Sequence, residues 1–372
     1  MKVPQLDLSA QFESIRDEVM EAVGEVFESQ RFILGPEVDK FESETAAFMG
    51  AGDCVGVSSG SEALRIALAV LDIGPGDEVL LPTFTFFATA GAVIHVGATP
   101  VFVDVDEDFL MDLGDAWRRR STRAKAVIPV HLYGLQAPMD SLKSWAETEG
   151  LVVLEDAAQS FGARRSEGAA GAMGDAGAVS FFPSKNLGGA GDAGLIAFRD
   201  PNIAARARNY RMHGESRRYH HEEVGVNGRI DALQAAILRV KLRHLDDWNA
   251  GRRSVARRYE TLFADSSVSE LVNRPDLPEA DEHVFHQYTI RVPRRDELMV
   301  HLQEKGVGSA VYYPVPLHKQ KCFAHLSGLP DSLPVSERLA TEALSLPIYP
   351  EISEDQQAYV VDTIREFLGK SV

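Results

Sequence analysis

Between about residue 55 and residue 200 the chain alternates short β-rich apolar runs with stretches of helical periodicity, and that alternation leaves few folds open. The β-rich runs are Glu78–Pro82, Pro100–Asp104, Ala126–His131, Leu151–Leu154, Ala178–Phe182 and Leu195–Phe198. Helical segments such as Glu62–Leu71 and Met139–Glu149 lie between several of them. Strands apolar along nearly their whole length are buried on both faces. Separated by helices, they predict an α/β domain with a large, mostly parallel sheet. Ligands of such sheets sit beyond the carboxyl ends of the strands. Asp156, His131 and the loop carrying Lys185 all fall at or just past such ends.

The flanking regions read as helices and a smaller second unit. Phe12, Ile15, Val19, Val23 and Phe27 form one apolar helical stripe, which Gly35-Pro36 terminates. A long helical region carries Ile230, Leu233, Ile237, Val240, Leu245 and Trp248 on one face, continuing to about Phe263 with a break at Gly251. The remainder predicts strand His283–Val292, helix Arg295–Lys305, strand Val307–Tyr313 and a closing helix Asp355–Leu368. At 372 residues the chain exceeds what one core usually serves. The expected division is a large α/β domain over 1–250 and a small C-terminal α+β domain over 251–372.

A formal charge of −17 argues against general nucleic-acid binding, which needs a basic surface. Cys54 and Cys322 lie far apart without metal-ligand spacing, so reduced thiols are expected. The first residues lack the apolar core of a signal peptide, and the apolar stretch 88–105 is interrupted by His95, Gly97, Pro100 and Asp104. The expected location is the cytoplasm.

Lys185 closes Ser180-Phe-Phe-Pro-Ser-Lys185 beside a glycine-rich stretch, and Asp156 ends the apolar strand before it. A lysine amine forms a Schiff base with an aldehyde cofactor, and a carboxylate keeps a pyridine nitrogen protonated; pyridoxal phosphate needs both. Val57-Ser-Ser-Gly-Ser-Glu-Ala-Leu64 reads either as a phosphate-binding helix start or as an ordinary serine cap. In Thr83-Phe-Thr-Phe-Phe-Ala-Thr89 an aromatic ring either covers a flat cofactor or belongs to the core. Gly189-Ala-Gly-Asp-Ala-Gly194 matches a dinucleotide fingerprint, but the residues after it read as strand, so that site is rejected. His220, His221, His283 and His286 lack the partners of a metal site. Six arginines between Arg199 and His221 offer either a dock for an anionic substrate or a solvated helix face.

With these residues assembled, the chain resembles the nucleotide-sugar aminotransferases of the DegT/DnrJ/EryC1/StrS family. Ser-Gly-Ser-Glu-Ala-Leu64, Glu-Asp-Ala-Ala-Gln-Ser160, Ser-Phe-Phe-Pro-Ser-Lys185 and Gly225-Val-Asn-Gly-Arg229 carry the resemblance, which runs nearly end to end. It implies the aspartate aminotransferase fold (fold type I) and pyridoxal 5'-phosphate, with pyridoxamine 5'-phosphate as the aminated form. Lys185 would be the Schiff-base lysine and proton shuttle, and Asp156 the partner of the ring nitrogen. Gln159 would bond the ring's phenolic oxygen, Phe86 would stack on its face, and Gly60, Ser61 and Ser180 would hold the phosphate. Asn227 would reach the phosphate of a neighbouring subunit, making a homodimer obligatory. Arg229, Tyr312, Tyr313 and His318 would bind substrate, the segment Tyr313-Pro-Val-Pro-Leu-His318 resembling that of members that aminate carbon 3, among them those acting on a UDP-linked 3-oxo-glucuronate. The implied reaction moves the amino group of L-glutamate, leaving 2-oxoglutarate, onto a UDP- or dTDP-linked keto-sugar. The product would serve surface polysaccharide such as the O-antigen of lipopolysaccharide, or a glycosylated metabolite. Two alternatives are a sugar dehydratase of the same family, whose members carry histidine at the lysine position, and a non-catalytic regulatory protein of the same fold.

Overall fold

The computed structural model describes residues 1–278 and 281–369. It opens with helices α1 (Ser9–Ser29) and α2 (Pro36–Met49). Gly35 at φ 86° makes the turn into α2, and Pro36 starts the helix with its φ already helical. Of the expected α1 stripe, Ile15 and Val19 are buried against Val240 and Trp248, with Val23 beside them. Phe12 and Phe27, however, are 39% and 53% exposed, because the buried face turns toward Val26 rather than the ends of the stripe.

The predicted alternation follows: β1 (Asp53–Val57), α3 (Gly60–Val70), β2 (Glu78–Pro82), α4 (Phe87–His95), β3 (Thr99–Val103), α5 (Leu113–Arg119), β4 (Ala124–Val127), α6 (Met139–Glu149) and β5 (Val152–Asp156). A small hairpin, β6 (Arg164–Arg165) and β7 (Gly168–Ala169), precedes β8 (Ala176–Ser180) and β9 (Gly194–Phe198). The seven-stranded sheet runs β1-β9-β8-β5-β4-β2-β3. Five of these seven strands are linked by parallel pairing, while β9 is antiparallel to both β1 and β8. A parallel partner needs a crossover helix; the loop 181–193 supplies none, so β9 turns back beside β8. The decoy glycines therefore lead into a strand, as their sequence indicates. The run expected to reach His131 stops at Val127, since Pro129 has no N–H to continue the ladder. Only a bridge between Val130 and Asp156 extends it.

One face of the sheet is closed by α3 and α4, with Leu64, Ile66 and Leu68 fully buried against Val79, Leu81 and Phe102. On the other face, Leu142 and Ala146 of α6 pack on Leu80, Val103 and Val127.

Beyond the sheet come α7 (Pro201–Tyr210), a hairpin of β10 (Glu215–Arg217) and β11 (His220–His221), α8 (Ala232–Leu242) and α9 (Leu245–Ala264). The helical break falls at Arg243–His244, not at Gly251. Gly251 lies within α9, where a Cβ would stand 2.9 Å from that of Pro350, so the glycine serves close packing. The expected division at 250/251 thus falls inside one continuous helix.

The last elements are β12 (Tyr288–Arg291), α10 (Arg295–Glu304), α11 (Pro334–Glu342), β13 (Ala343–Leu346) and α12 (Glu354–Leu368). The strand expected from His283 is shortened because Phe285 sits at φ 44° and the segment is tied elsewhere: Val284 N–H donates to the Gly134 carbonyl, and Gln287 N–H to that of Tyr133. The run 307–313 is not a strand. Val307 bridges Val3 and Ala310 bridges Ser345, and Pro314 and Pro316 follow directly. Helix α11 and strand β13 have no counterpart in the sequence reading. A second core unites Tyr259 and Phe263 of α9 with Tyr288, Leu344, Val360 and Ile364; Val3, from the chain's first residues, joins it. Among the described residues no helix is long and apolar enough to cross a membrane.

Candidate active site

At the carboxyl edge of the parallel strands lies a cavity of about 470 Å³, within the size range of small-molecule sites. Lys185 and Asp156 both line it. Strand alternation explains how two adjacent acids divide their work. Glu155 points to the opposite face, fully buried, where it accepts backbone N–H bonds from Gly171, Met173 and Gly174 at 2.6–2.8 Å. Its fourth partner is His131 Nε2 at 2.8 Å; His131 Nδ1 accepts from the Ala137 N–H, so the proton resides on Nε2. Glu155 and His131 are structural.

Asp156 faces the cavity. Its Oδ2 accepts the Thr89 hydroxyl at 2.8 Å and its Oδ1 the Ala158 N–H at 3.2 Å. Burial raises its pKa, opposed by those two bonds and by the charge of Lys185. Burial lowers the Lys185 amine to about 8, and the Asp156 charge opposes that shift. A lysine so placed loses its proton far more readily than an ordinary one, as a nucleophile and proton carrier requires.

The phosphate-like end is formed by Ser59, Gly60, Ser61 and Ser180, all on the cavity wall. Ser59 caps α3, its hydroxyl accepting the Glu62 N–H at 3.2 Å. A Cβ on Gly60 would stand 2.7 Å from Ser180 Cβ, so the helix start and the β8 end meet only because that residue has no side chain. Free N–H groups and hydroxyls gathered at a helix N-terminus make an anion site. The opposite wall is aromatic: Phe86 is 54% exposed, and its ring lies 6.0 Å from that of Tyr313. Tyr312 lines the same wall. Gln159 Oε1 accepts the Tyr133 N–H at 2.7 Å, and Nε2 donates to the Tyr313 hydroxyl at 3.2 Å, leaving its second hydrogen for a ligand. An aldehyde-reactive amine, a buried acid, an anion cradle and a flat apolar wall in one cavity fit a phosphorylated aromatic aldehyde.

Arg229 and His318, expected to bind substrate, lie off the walls of this cavity, and so does Asn227, which the resemblance assigns to a neighbouring subunit's phosphate. Asn227 is exposed and Arg229 bridges Val57, neither on the walls of their own chain's cavity. His318 is buried between Thr83 and Glu337, away from those walls. The basic stretch is largely committed: Arg199 pairs with Asp175, Arg206 with Asp72 and Glu223, Arg208 with Asp53 and Glu42, and Arg211 with Glu42. These four form a structural lattice, while Arg217 and Arg218 lie exposed at the β10–β11 hairpin. Conversely, the sequence reading gave Thr89 and His286 no role at this site. Burial and the Lys185 charge press the His286 pKa well down, and its Nδ1 has no partner among the described residues. The four-residue spacing of Thr85 and Thr89 was the available signal for the former.

This geometry narrows the chemistry, and comparison with known proteins settles the family. The model of the DegT/DnrJ/EryC1/StrS aminotransferase family matches residues 13–365. The chain belongs to that family. Among its curated relatives in this family, a "pleiotropic regulatory protein" of Geobacillus stearothermophilus is 48% identical, covering 99% of both chains. UDP-N-acetyl-3-dehydro-alpha-D-glucosamine 3-aminotransferase of Acidithiobacillus ferrooxidans is 45% identical over 98% of both. UDP-2-acetamido-2-deoxy-3-oxo-D-glucuronate aminotransferase of Pseudomonas aeruginosa, of the branch that the carbon-3 segment resembles, is 40% identical over 93% of this chain and 94% of that one. Of solved structures, Streptomyces venezuelae DesV, in complex with a reaction intermediate, superposes with a TM-score of 0.93 at 42% identity over 98% of both chains. Bacillus subtilis NtdA with bound cofactor PMP gives 0.90 at 30% identity, over 98% of this chain and 85% of that one. The DegT/DnrJ/EryC1/StrS aminotransferases are pyridoxal-phosphate enzymes of fold type I, and the sheet described above is that fold.

Proposed function

We propose that this chain transfers the amino group of L-glutamate to carbon 3 of a keto-sugar carried on UDP or dTDP, using pyridoxal 5'-phosphate. The observation that carries the reading is the joint placement of Lys185 and Asp156 on the wall of one cavity. Bound there, the cofactor supplies an electron sink that makes the C–H bond beside the transferred nitrogen acidic.

The chain's own residues do the rest. Lys185 would hold the cofactor, and its freed amine would carry the proton from the donor's α-carbon to the cofactor's aldehyde carbon, then in the second stage from that carbon to the sugar carbon that receives the nitrogen. Asp156, oriented by the Thr89 hydroxyl, keeps a proton on the ring nitrogen. Ser61, Ser180 and the start of α3 hold the phosphate, and Phe86 and Tyr313 keep water from the reacting face. Asn227 and Arg229, outside their own cavity, complete the cavity of a second copy in a homodimer. The amino sugar then enters a surface polysaccharide or a glycosylated metabolite.

Adding glutamate to the purified yellow protein should bleach its visible band and release 2-oxoglutarate. A following screen of UDP- and dTDP-linked 3- and 4-keto sugars should restore the band only with its acceptor. Lys185 stands against the dehydratase alternative. The name of the Geobacillus relative favours a regulatory role, and a protein that neither bleaches nor recovers would support it instead.

A further inference from the structure

We propose that His318 is a positioning residue: it clasps the segment bearing Tyr312 and Tyr313 onto the strand-end loop bearing Phe86, and so shapes the wall that holds the keto-sugar. The inference rests on the aminotransferase reading above for what the wall holds, and on its own geometry for the clasp.

Thr83 directly follows β2, three residues before Phe86. Its backbone carbonyl accepts the Leu317 N–H at 2.8 Å, and its Oγ1 accepts the His318 N–H at 3.1 Å. The same Oγ1 lies 2.8 Å from His318 Nδ1. An oxygen that already accepts a backbone hydrogen turns its own toward the ring, so Nδ1 accepts and Nε2 carries the imidazole proton. Nε2 then donates to Glu337 Oε1 at 3.1 Å. Glu337 is itself fixed, accepting the Leu333 N–H at 3.1 Å, with Lys319 Nζ 3.4 Å away.

The helix that carries Glu337, α11, is docked in turn on the end of β3. Asp104 accepts the N–H groups of Val335 and Ser336 at 3.1 and 2.9 Å and the Ser336 hydroxyl at 2.5 Å. Both ring nitrogens of His318 are therefore spent on protein, and the side chain is buried. Between the clasp and Tyr313 lie only Pro314, Val315, Pro316 and Leu317, two of them with fixed φ. What holds His318 thus holds Tyr313, whose ring stands 6.0 Å from Phe86 and 6.4 Å from Phe84 and whose hydroxyl bonds Gln159.

Thr83→Val separates this role from direct substrate contact, because Thr83 is not on the cavity wall. The measurements are hydrogen exchange over residues 312–319 without substrate, and the glutamate and keto-sugar half-reactions taken separately on folded holoprotein. Thr83→Val and His318→Gln should each speed that exchange. Each should lower kcat/KM of the sugar half-reaction about 10-fold, the worth of roughly one hydrogen bond, with the glutamate half-reaction within about twofold. The double variant should be no worse than His318→Gln alone, and His318→Asn, whose amide stands near the lost Nδ1, should recover part of the loss. If Thr83→Val leaves both exchange and sugar turnover untouched while His318→Gln does not, His318 contacts substrate and the clasp is refuted. An equal loss in both half-reactions refutes it too. Should wild type itself fail to react with glutamate, the aminotransferase reading falls, while the exchange measurements still decide the clasp.

Discussion

Asp156 and Lys185 were legible in the sequence because charge is rare in runs so apolar, and a buried charge calls for a reason. Their neighbours were not. Thr89 and His286 are residue types that cores accommodate routinely, and only the fold reveals that one bonds Asp156 and the other leaves a nitrogen open beside Lys185. His318 shows the opposite failure: a resemblance pointed to substrate, while both nitrogens are held by protein. The lowered pKa of Lys185 also makes a stability statement. Between about 8 and the ordinary lysine value of 10.5 the unfolded chain holds a proton that the folded one has released. The unfolded state then binds more protons, so cofactor-free protein gains stability from this group as pH rises through that window. Lys185→Met lacks the cost of burying the ammonium. Its cofactor-free form should be more stable than wild type below pH 8, with the advantage shrinking toward pH 10.5, measured by urea denaturation at stepped pH. Lys241, also lowered to about 8 by burial, is common to both proteins and cancels in the difference.

Regular elements follow local chemistry, and where that chemistry is complete the reading succeeds. Helix α6 spans Met139–Glu149 as expected, closed by Gly150 at φ 65°. The errors arise where distant contacts override the local pattern. A glycine inside α9 looked like a break but makes room for Pro350, and an apolar run before Tyr313 looked like a strand but crosses between two cores. The junction of α3 and β8 offers the sharpest test at this scale. Gly60→Ala would force its Cβ to within 2.7 Å of Ser180 Cβ and 3.2 Å of its hydroxyl. The helix start must then withdraw from the strand end, parting the two halves of the anion cradle. Cofactor affinity should fall by about 10-fold or more, as expected for one or two weakened phosphate bonds, read by titrating cofactor-free protein with pyridoxal phosphate. Unchanged affinity would mean that the phosphate is held elsewhere.

For the whole molecule, the proposed homodimer has a consequence that can be counted. Lys185→Ala and Asn227→Ala should each be nearly inactive alone, having damaged every site. Mixed and reassembled in equal amounts, half of the dimers are hybrids, and each hybrid regains one intact site of two. About a quarter of wild-type activity should return, as twofold symmetry with shared sites requires. No recovery would place Asn227 in its own subunit's chemistry, and an Asn227→Ala protein active on its own would place it outside the reaction. The alternation of strand and helix made the sheet readable, but the task proposed for Asn227 lies beyond a single chain: within its own fold it is exposed and bridges Met212.

The antiparallel turn-back of β9 leaves a lasting mark on how this enzyme can change. Ser180 and Gly194 face each other in the ladder, so the thirteen residues from Phe181 to Ala193 form a lariat closed between β8 and β9, the third and second strands from the β1 edge of the sheet. The strands cannot slip to absorb an insertion or deletion there, since one step would turn every side chain to the wrong face. Any length change is delivered undiluted to the tip that presents Lys185, and evolution can vary that noose in composition far more freely than in size.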